Sequence, residues 1–538
     1  MQKRQVSLIA TILTAMIITA CNQSVDTDTT SEEITYLGEV TFITEDTIVL
    51  ALGTEKEMSL DLTGESVEIN ITDDTEITIV NQEGSEEAAV SDIEEGDVLS
   101  VTCNEDNKNA LTVEVQSFEP GNGNNAMGEP PSKTESESMD LIGTYTVDGT
   151  DESSDGETIS SENVDENAVL VKNSGRLILQ NAIIHKPGDT SSANDSNFYG
   201  LNSIIAATSG SSITVSDTVI SADSEGSNGI FATGEGSEIT VSNVAIKTTA
   251  NSARGLDATY GGTIIAENID IETEGEHCAA LATDRGEGTI TVTEGTLNTA
   301  GNGSPCIYST GAITAEKVTG TATGAQAAVI EGKNSITLKE SDLAGSGKNG
   351  VMLYQSTSGD AAEGKSVLNV TDSVLTSDST GPMFYVTNTT AEVNLTNSTL
   401  SFQSEILINA AGNETNHWGT PGSNGGMLTF MASNQNLQGN ITCDEISSID
   451  LMLHERSTYL GAINTEHTGD VTVSLDEDSI WDVAGDSYIS SLTDEDEKLN
   501  NINSNDFTIY YDSSNSQNDW LDGKTITLQG GGELTPVE

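Results

Sequence analysis

Seven short segments recur through the middle of this chain, and nearly all carry a side chain able to meet a ligand. They read NGIFAT, RGLDAT, CAALATD, PCIYST, AVIEGK, VMLYQS and PMFYVT. One alignment points Ile230, Leu256, Leu281, Ile307, Ile330, Leu353 and Phe384 inward. The residues that follow them then face outward together, because side chains alternate across a strand. These are Phe231, Asp257, Ala282, Tyr308, Glu331, Tyr354 and Tyr385. Neighbouring strands lie about 4.8 Å apart, so alternate ones are about 10 Å apart. That spacing lets rings and carboxylates meet successive units of an extended polymer: rings stack on the apolar faces of sugars, and Asp, Glu and Arg bind hydroxyls. Arg254, Asp284 and Arg285 lie beside this strip in sequence, with Tyr260, His277, Lys333 and Gln355. They stand out because the whole chain has only 19 Lys and Arg. Trp418, in the loop AGNETNHWGTPGSNGG, adds one more ring. A purely structural account also exists: Tyr forms strands well and covers outer sheet faces.

Catalytic patterns are scarce, and no residue is assigned a catalytic role. Asp257 with Asp284 or Glu331 has the two carboxyls a glycosidase requires. Arg254 or Arg285 has the chemistry of a lyase base. HExxH and GxSxG are absent, and Asn388-Thr389-Thr390 lacks the Asp of a polygalacturonase-type triplet. No Cys/His spacing suggests zinc. Calcium is an open possibility, since the run from Asp151 to Glu162 partly follows EF-hand loop spacing. It lacks flanking helices and the usual third acid.

The elements that must position these residues are written in a repeat. From Leu177 to Leu400 one pattern occurs nine times, beginning LILQNAII, ITVSDTVI, ITVSNVAI and IIAENIDI and ending VNLTNSTL. From Ile213 the starts are 26, 25, 26, 23, 23, 32 and 25 residues apart. Such a period denotes a stacked array. Alternation of apolar and polar residues is a strand signal, and the intervening Gly, Ser, Thr, Asn and Asp favour turns. The expected architecture is all-β: a right-handed parallel β-helix of roughly twelve turns, preceded by a small β-barrel or sandwich. Ile213, Ile239, Ile264, Ile290, Ile313, Ile336, Leu368 and Val393 should form one inward column. The fifth position (Asn181, Asp217, Asn243, Asn268, Glu294, Lys317, Glu340, Asp372, Asn397) should form a ladder at a corner. Asp223 and Ser224 read as tolerant loop positions.

The expected organisation is a signal peptide over residues 1–21, a tether over 22–33, a β module over 34–118, a linker over 119–139 and the β-helix over 140–538. Lys3 and Arg4 precede an apolar run that ends at Cys21, as in a secretory signal. Eighty-six Asp and Glu give a net charge of −67. That excludes ordinary nucleic-acid binding, which needs basic residues, and it allows a basic or cationic partner. Cys103, Cys278, Cys306 and Cys443 are too sparse for a disulfide framework and suit buried free thiols.

Two resemblances extend this reading. Ile18-Thr19-Ala20-Cys21 resembles a bacterial lipobox, which implies a lipid on Cys21 and an extracytoplasmic, membrane-anchored location at the cell surface. Residues 140–535 look like the adhesin-like β-helix surface proteins of bacteria, in stretches such as ARGLDATYGG and GVMLYQSTSGDA. The run from Trp481 to Leu492 resembles the closing turns of pertactin and autotransporter passenger domains. The expected function is adhesin-like binding of extended glycans or other surface ligands. The alternatives are a polysaccharide lyase or glycosidase, and a passive stalk.

Overall fold

In the computed structural model, residues 139–537 are described, apart from 416, together with most of residues 33–116. The expected signal peptide and Cys21 lie outside the described residues, as do nearly all of the tether and linker. The chain divides into two compact units, Met1–Ala126 and Met127–Glu538.

The first unit is one mixed sheet of seven strands: β1 (Glu33–Ile43), β2 (Thr47–Lys56), β3 (Ser59–Asn70), β4 (Glu76–Asn81), β5 (Gly84–Glu87), β6 (Val98–Asn104) and β7 (Ala110–Gln116). Their order is β3-β2-β1-β6-β7-β4-β5, antiparallel except where β4 pairs with β7. Ile48, Leu50, Leu99, Val101 and Val113 are fully buried at its centre. A bridge between Asn70 and Asn109 ties the end of β3 to the approach of β7, curling the sheet toward a barrel.

The second unit is a parallel β-solenoid of about 16 turns, longer than the twelve expected. Each template strand pairs with its copy one turn on. Ile213 lies against Ile239, then Ile264, Ile290, Ile313, Ile336, Leu368 and Val393. The column continues past the nine copies through Phe430, Leu451, Val473 and Leu492. Each such side chain is 0–2% exposed, and burying one Val, Leu or Ile contributes about 1.5–3 kcal/mol. The corner ladder also forms. All nine fifth-position residues have φ between 47° and 63°, including Glu294, Lys317 and Glu340. Where Asn or Asp occupies it, side-chain amides link successive turns: Asn243 to Asp217 at 3.0 Å, Asn268 to Asn243 at 2.8 Å, Asn397 to Asp372 at 2.6 Å. Short polar side chains tolerate this left-handed backbone better than others. The corner also switches which side chains point in, from Ile213 and Val215 before Asp217 to Thr218, Ile220 and Ala222 after it.

Two long sheets run along the solenoid, of 19 and 12 strands. The first alternates buried and exposed residues, as in Glu238–Thr248. The second does not: Ile230–Thr233, Leu256–Thr259, Ala328–Glu331 and Val351–Tyr354 are buried at every position. Something therefore covers its outer face. The cover is supplied by three turns that are longer than the rest. The step from one turn to the next is 36 residues at Gln180–Ser216, 32 at Ser341–Ser373 and 37 at Asn397–Asn434. Each extra length folds back over the 12-stranded sheet.

The loop after Leu400 lies on the stack. Two sequence expectations change. Asp151–Asp155 and Thr158–Ser160 are strands, so the run from Asp151 to Glu162 is extended chain and not a cation-wrapping loop. Ser224 is 1% exposed and donates to the Lys186 carbonyl at 2.7 Å, so only Asp223 of that pair is a tolerant surface position. Cys103, Cys278, Cys306 and Cys443 are buried free thiols, and burial pushes the Cys278 thiol up to about 11. Trp481 is fully buried, with its ring against Tyr459 and its Nε1 donating to the Gly461 carbonyl. Among the described residues no helix is long and apolar enough to cross a membrane.

Candidate ligand-binding cleft

The outward row differs from the expected strip in register and in exposure. Pairing runs Phe231, Asp257, Ala282, Tyr308, then Val329, Met352 and Tyr385. Glu331 and Tyr354 pair with each other one row over, next to Thr387. The displacement is two residues at strand Ala328–Glu331. A two-residue shift keeps every side chain on its own face, so the expected outward residues do point away from the solenoid core. They do not form an open strip. Phe231 and Asp257 are fully buried, Glu331 is 1% exposed and Tyr354 9%. Tyr308, Tyr385 and Trp418 are partly buried.

The three insertions explain the cover. The first carries the helix α1 (Ala193–Tyr199), capped by Ser192 accepting from the Asp195 amide and closed by Gly200 at φ 80°. A Cβ on Gly200 would lie 2.5 Å from the Phe231 ring, so this close crossing requires glycine. The second insertion holds Asp360 and the third Trp418. Asn413 and Asn424 shape the third, each donating to the Trp418 carbonyl. The Trp418 ring then rests 4.7 Å from Tyr354. Arg285 joins the first two insertions: its guanidinium sits 3.9 Å over Phe198, and Nε meets Asp360 at 2.6 Å. The Thr357 amide joins the second to the third at the His417 carbonyl, 2.6 Å away.

Between the insertions and the sheet lies a cleft of about 490 Å³. Asn197 and Phe198 form one wall, Tyr308, Tyr354 and Trp418 another, and Asp360 part of its rim. Arg254, His277 and Asp284 line its polar end. Arg254 is held between two carboxylates, with Nη1 2.9 Å from Asp284 and 3.3 Å from Asp257. Burial is the main influence on all three. It raises Asp257 well above the usual carboxylate range and brings Asp284 to about 7, against the opposing pull of Arg254. Burial, then Arg254, lowers His277. Glu331 lies behind the aromatic wall. It accepts from the hydroxyls of Tyr308, Tyr354 and Ser356, and burial followed by Glu331 raises both tyrosines well above their usual range.

The cleft thus unites Arg254, Asp284, Tyr308, Tyr354 and Trp418 of the sequence candidates. Asp257 and Glu331 stand behind it as buried partners, Arg285 acts as a strut, and Phe231 packs under Gly200. Tyr385 joins the apolar cluster of Val329, Met352 and Trp418. Sequence reasoning missed Asn197, Phe198 and Asp360, all on insertions whose folding back is a tertiary event.

A smaller recess of about 390 Å³ lies near the last turns, beside His467 and Tyr488. The rings of His467 and Tyr488 stack at 4.4 Å, and Tyr510 stacks on the other face of Tyr488 at 4.6 Å. Both faces of Tyr488 are therefore occupied. Among the described residues no group of three or more His, Cys, Asp or Glu is placed to hold a metal ion. No protein-family model, curated protein or solved structure matches this chain, so the chemistry of the cleft rests on its own residues.

Proposed function

We propose that the protein is a cell-surface binding solenoid, anchored through a lipid on Cys21, that holds a short stretch of carbohydrate in the cleft without cleaving it. The observation that carries this is the convergence of three separate insertions on one recess. A stack of uniform turns needs none of them, and each adds loop to be ordered. Together they add aromatic walls and polar groups in the manner of small-ligand sites, which are concave and mostly apolar with a few placed polar groups. The cleft, rather than a long open face, limits the bound part to a few sugar units. Glycan arrays test this, with Trp418→Ala as the control. Loss of the wild-type signal in that variant supports the reading. Capture of no glycan, with and without calcium, leaves the passive stalk.

A hydrolytic reading has one observation in its favour. Asp284, raised to about 7, shares the cleft with a second carboxylate, Asp360. A carboxyl near neutrality can act as a general acid. Both groups are tied to arginines, however, and Asp257 and Glu331 do not line the cleft. Chromatography of any captured glycan separates the readings, because an enzyme shortens it and a binder returns it intact.

A further inference from the structure

Several of the cleft's donors are already engaged, while two acceptor atoms lining it and one behind it have no hydrogen bond. The hydroxyls of Tyr308 and Tyr354 both donate to Glu331. Arg254 is engaged by Asp257 and Asp284, and Arg285 by Asp360. Asn197 Oδ1, on a residue 8% exposed that lines the cleft, accepts nothing. Asp284 Oδ2 has the ion contact with Arg254 but no hydrogen bond of good geometry. Asp257 Oδ1 is likewise unpartnered.

Charge points the same way. Two guanidinium groups, Arg254 and Arg285, stand against four carboxyls in and behind the cleft: Asp257, Asp284, Asp360 and Glu331. Glu331 has tyrosine and serine hydroxyls around it and, among the described residues, no cation at ion-pair distance. Buried charge without a counter-charge is costly, and burial raises Asp257 and Asp284 above the usual carboxylate range. A bound cation would supply the missing counter-charge. The Tyr308, Tyr354 and Trp418 rings supply faces that attract a cation, and a net charge of −67 draws cations toward the protein.

We propose that the cleft selects sugars bearing a free, protonated amine, seating the ammonium among Asn197, Asp284 and Asp360 against the aromatic wall. This rests on the reading of the cleft as a carbohydrate site. The matched probes are β-1,4-linked tetraglucosamine and its fully N-acetylated counterpart, which share a backbone and differ in charge. Calorimetry on the full chain at pH 7 should show at least ~10-fold tighter binding of the free-amine tetramer, or about 1.4 kcal/mol. Asp284→Asn and Asp360→Asn should each reduce that preference. Asp360 is on the rim and partly exposed, so its variant tests the idea even if Asp284→Asn disturbs folding. Equal or tighter binding of the acetylated tetramer overturns the amine inference and leaves the carbohydrate reading standing. Binding of neither tetramer, nor of any arrayed glycan, overturns both. A preference undiminished in Asp360→Asn and in a folded Asp284→Asn places the ammonium elsewhere and overturns the site.

Discussion

Replacing Arg254 with Met tests the electrostatic account of the cleft most directly. The guanidinium is 9% exposed and lies between carboxylates that are 0% and 4% exposed. Met fills much of the same volume, so the change removes mainly charge. Breaking a buried ion pair from one side typically costs about 3–5 kcal/mol. A pH dependence follows from protons. With Arg254 present, Asp284 gives up its proton near pH 7. Without it, that carboxyl holds the proton to higher pH in the folded state. Each pH unit above 7 makes holding that proton less favourable by about 1.36 kcal/mol. From pH 7 to pH 9 the defect should therefore grow by about 2.7 kcal/mol. Long repeat arrays do not unfold in one step, so local protection is the proper measure. Amide exchange in strands Leu256–Thr259 and Leu281–Thr283 should be compared with wild type at each pH. The wild-type to variant ratio should be nearly constant from pH 5 to pH 7 and rise by ~100-fold from pH 7 to pH 9, the factor equivalent to 2.7 kcal/mol. Strand Asp470–Leu475, many turns away, should be unaffected, because each turn contacts only its neighbours. A ratio that changes by less than tenfold between pH 7 and pH 9, or a loss equal in the distant strand, refutes the reasoning.

Other outcomes follow from the same structure. In wild type, burial raises Asp257 and Asp284 above their unfolded values, so the folded chain holds protons that the unfolded chain has released. The stability these groups contribute is full below about pH 4 and is lost as pH rises through about 7 for Asp284. Asp284→Asn should flatten that decline in amide-exchange protection of the same strands between pH 5 and 8. Ile290→Lys places an unpaired charge in the fully buried column and should cost several kcal/mol, seen as faster proteolysis near that turn, whereas Asp223→Ala should leave the digestion rate unchanged. Ser224→Ala should lower local protection by about 1 kcal/mol for the lost hydrogen bond. Cys21→Ser should shift the protein from the membrane fraction to the soluble fraction, and unchanged partition refutes the lipid anchor. Trp418→Ala should weaken glycan binding at least ~10-fold by calorimetry while leaving the circular dichroism spectrum intact. It is a cleaner probe than removing Tyr308 and Tyr354, whose hydroxyls satisfy the buried Glu331.

The solenoid was legible because each inward position is written many times over. A single IxV triplet is ambiguous, but the column from Ile213 to Val393 requires the same face at every turn. The corner ladder was legible for a related reason. Glu294, Lys317 and Glu340 are poor left-handed residues, yet their place in the repeat puts them there, on three successive turns flanked by Asn268 and Asp372. The cleft was harder to read. Ala328, Val329 and Ile330 are all apolar, as are Val351, Met352 and Leu353, so nothing in those strands distinguishes a register from one displaced by two. The burial of the outer row did leave a trace, since Ile230-Phe231-Ala232 is apolar at both parities. A strand with one face in water would have shown a polar residue at 231. The lengthened turns left a trace as well, in the step of 32 residues. Their destination did not, because it depends on Arg285 meeting Asp360 across 75 positions of sequence.

The three insertions also separate two demands that most folds place on the same residues. Columns and corners hold the rod together, and they depend on neither α1 nor the Trp418 loop. The cleft takes one part of its lining from three short tracts hung on the outside of the turns and the other from the turns themselves, through Arg254, Asp284, Tyr308 and Tyr354. Selection can then rewrite the tracts one at a time, with the frame unchanged. Chains sharing these columns could carry quite different ligands, and grafting foreign loops at these three steps should yield a new specificity on an old support.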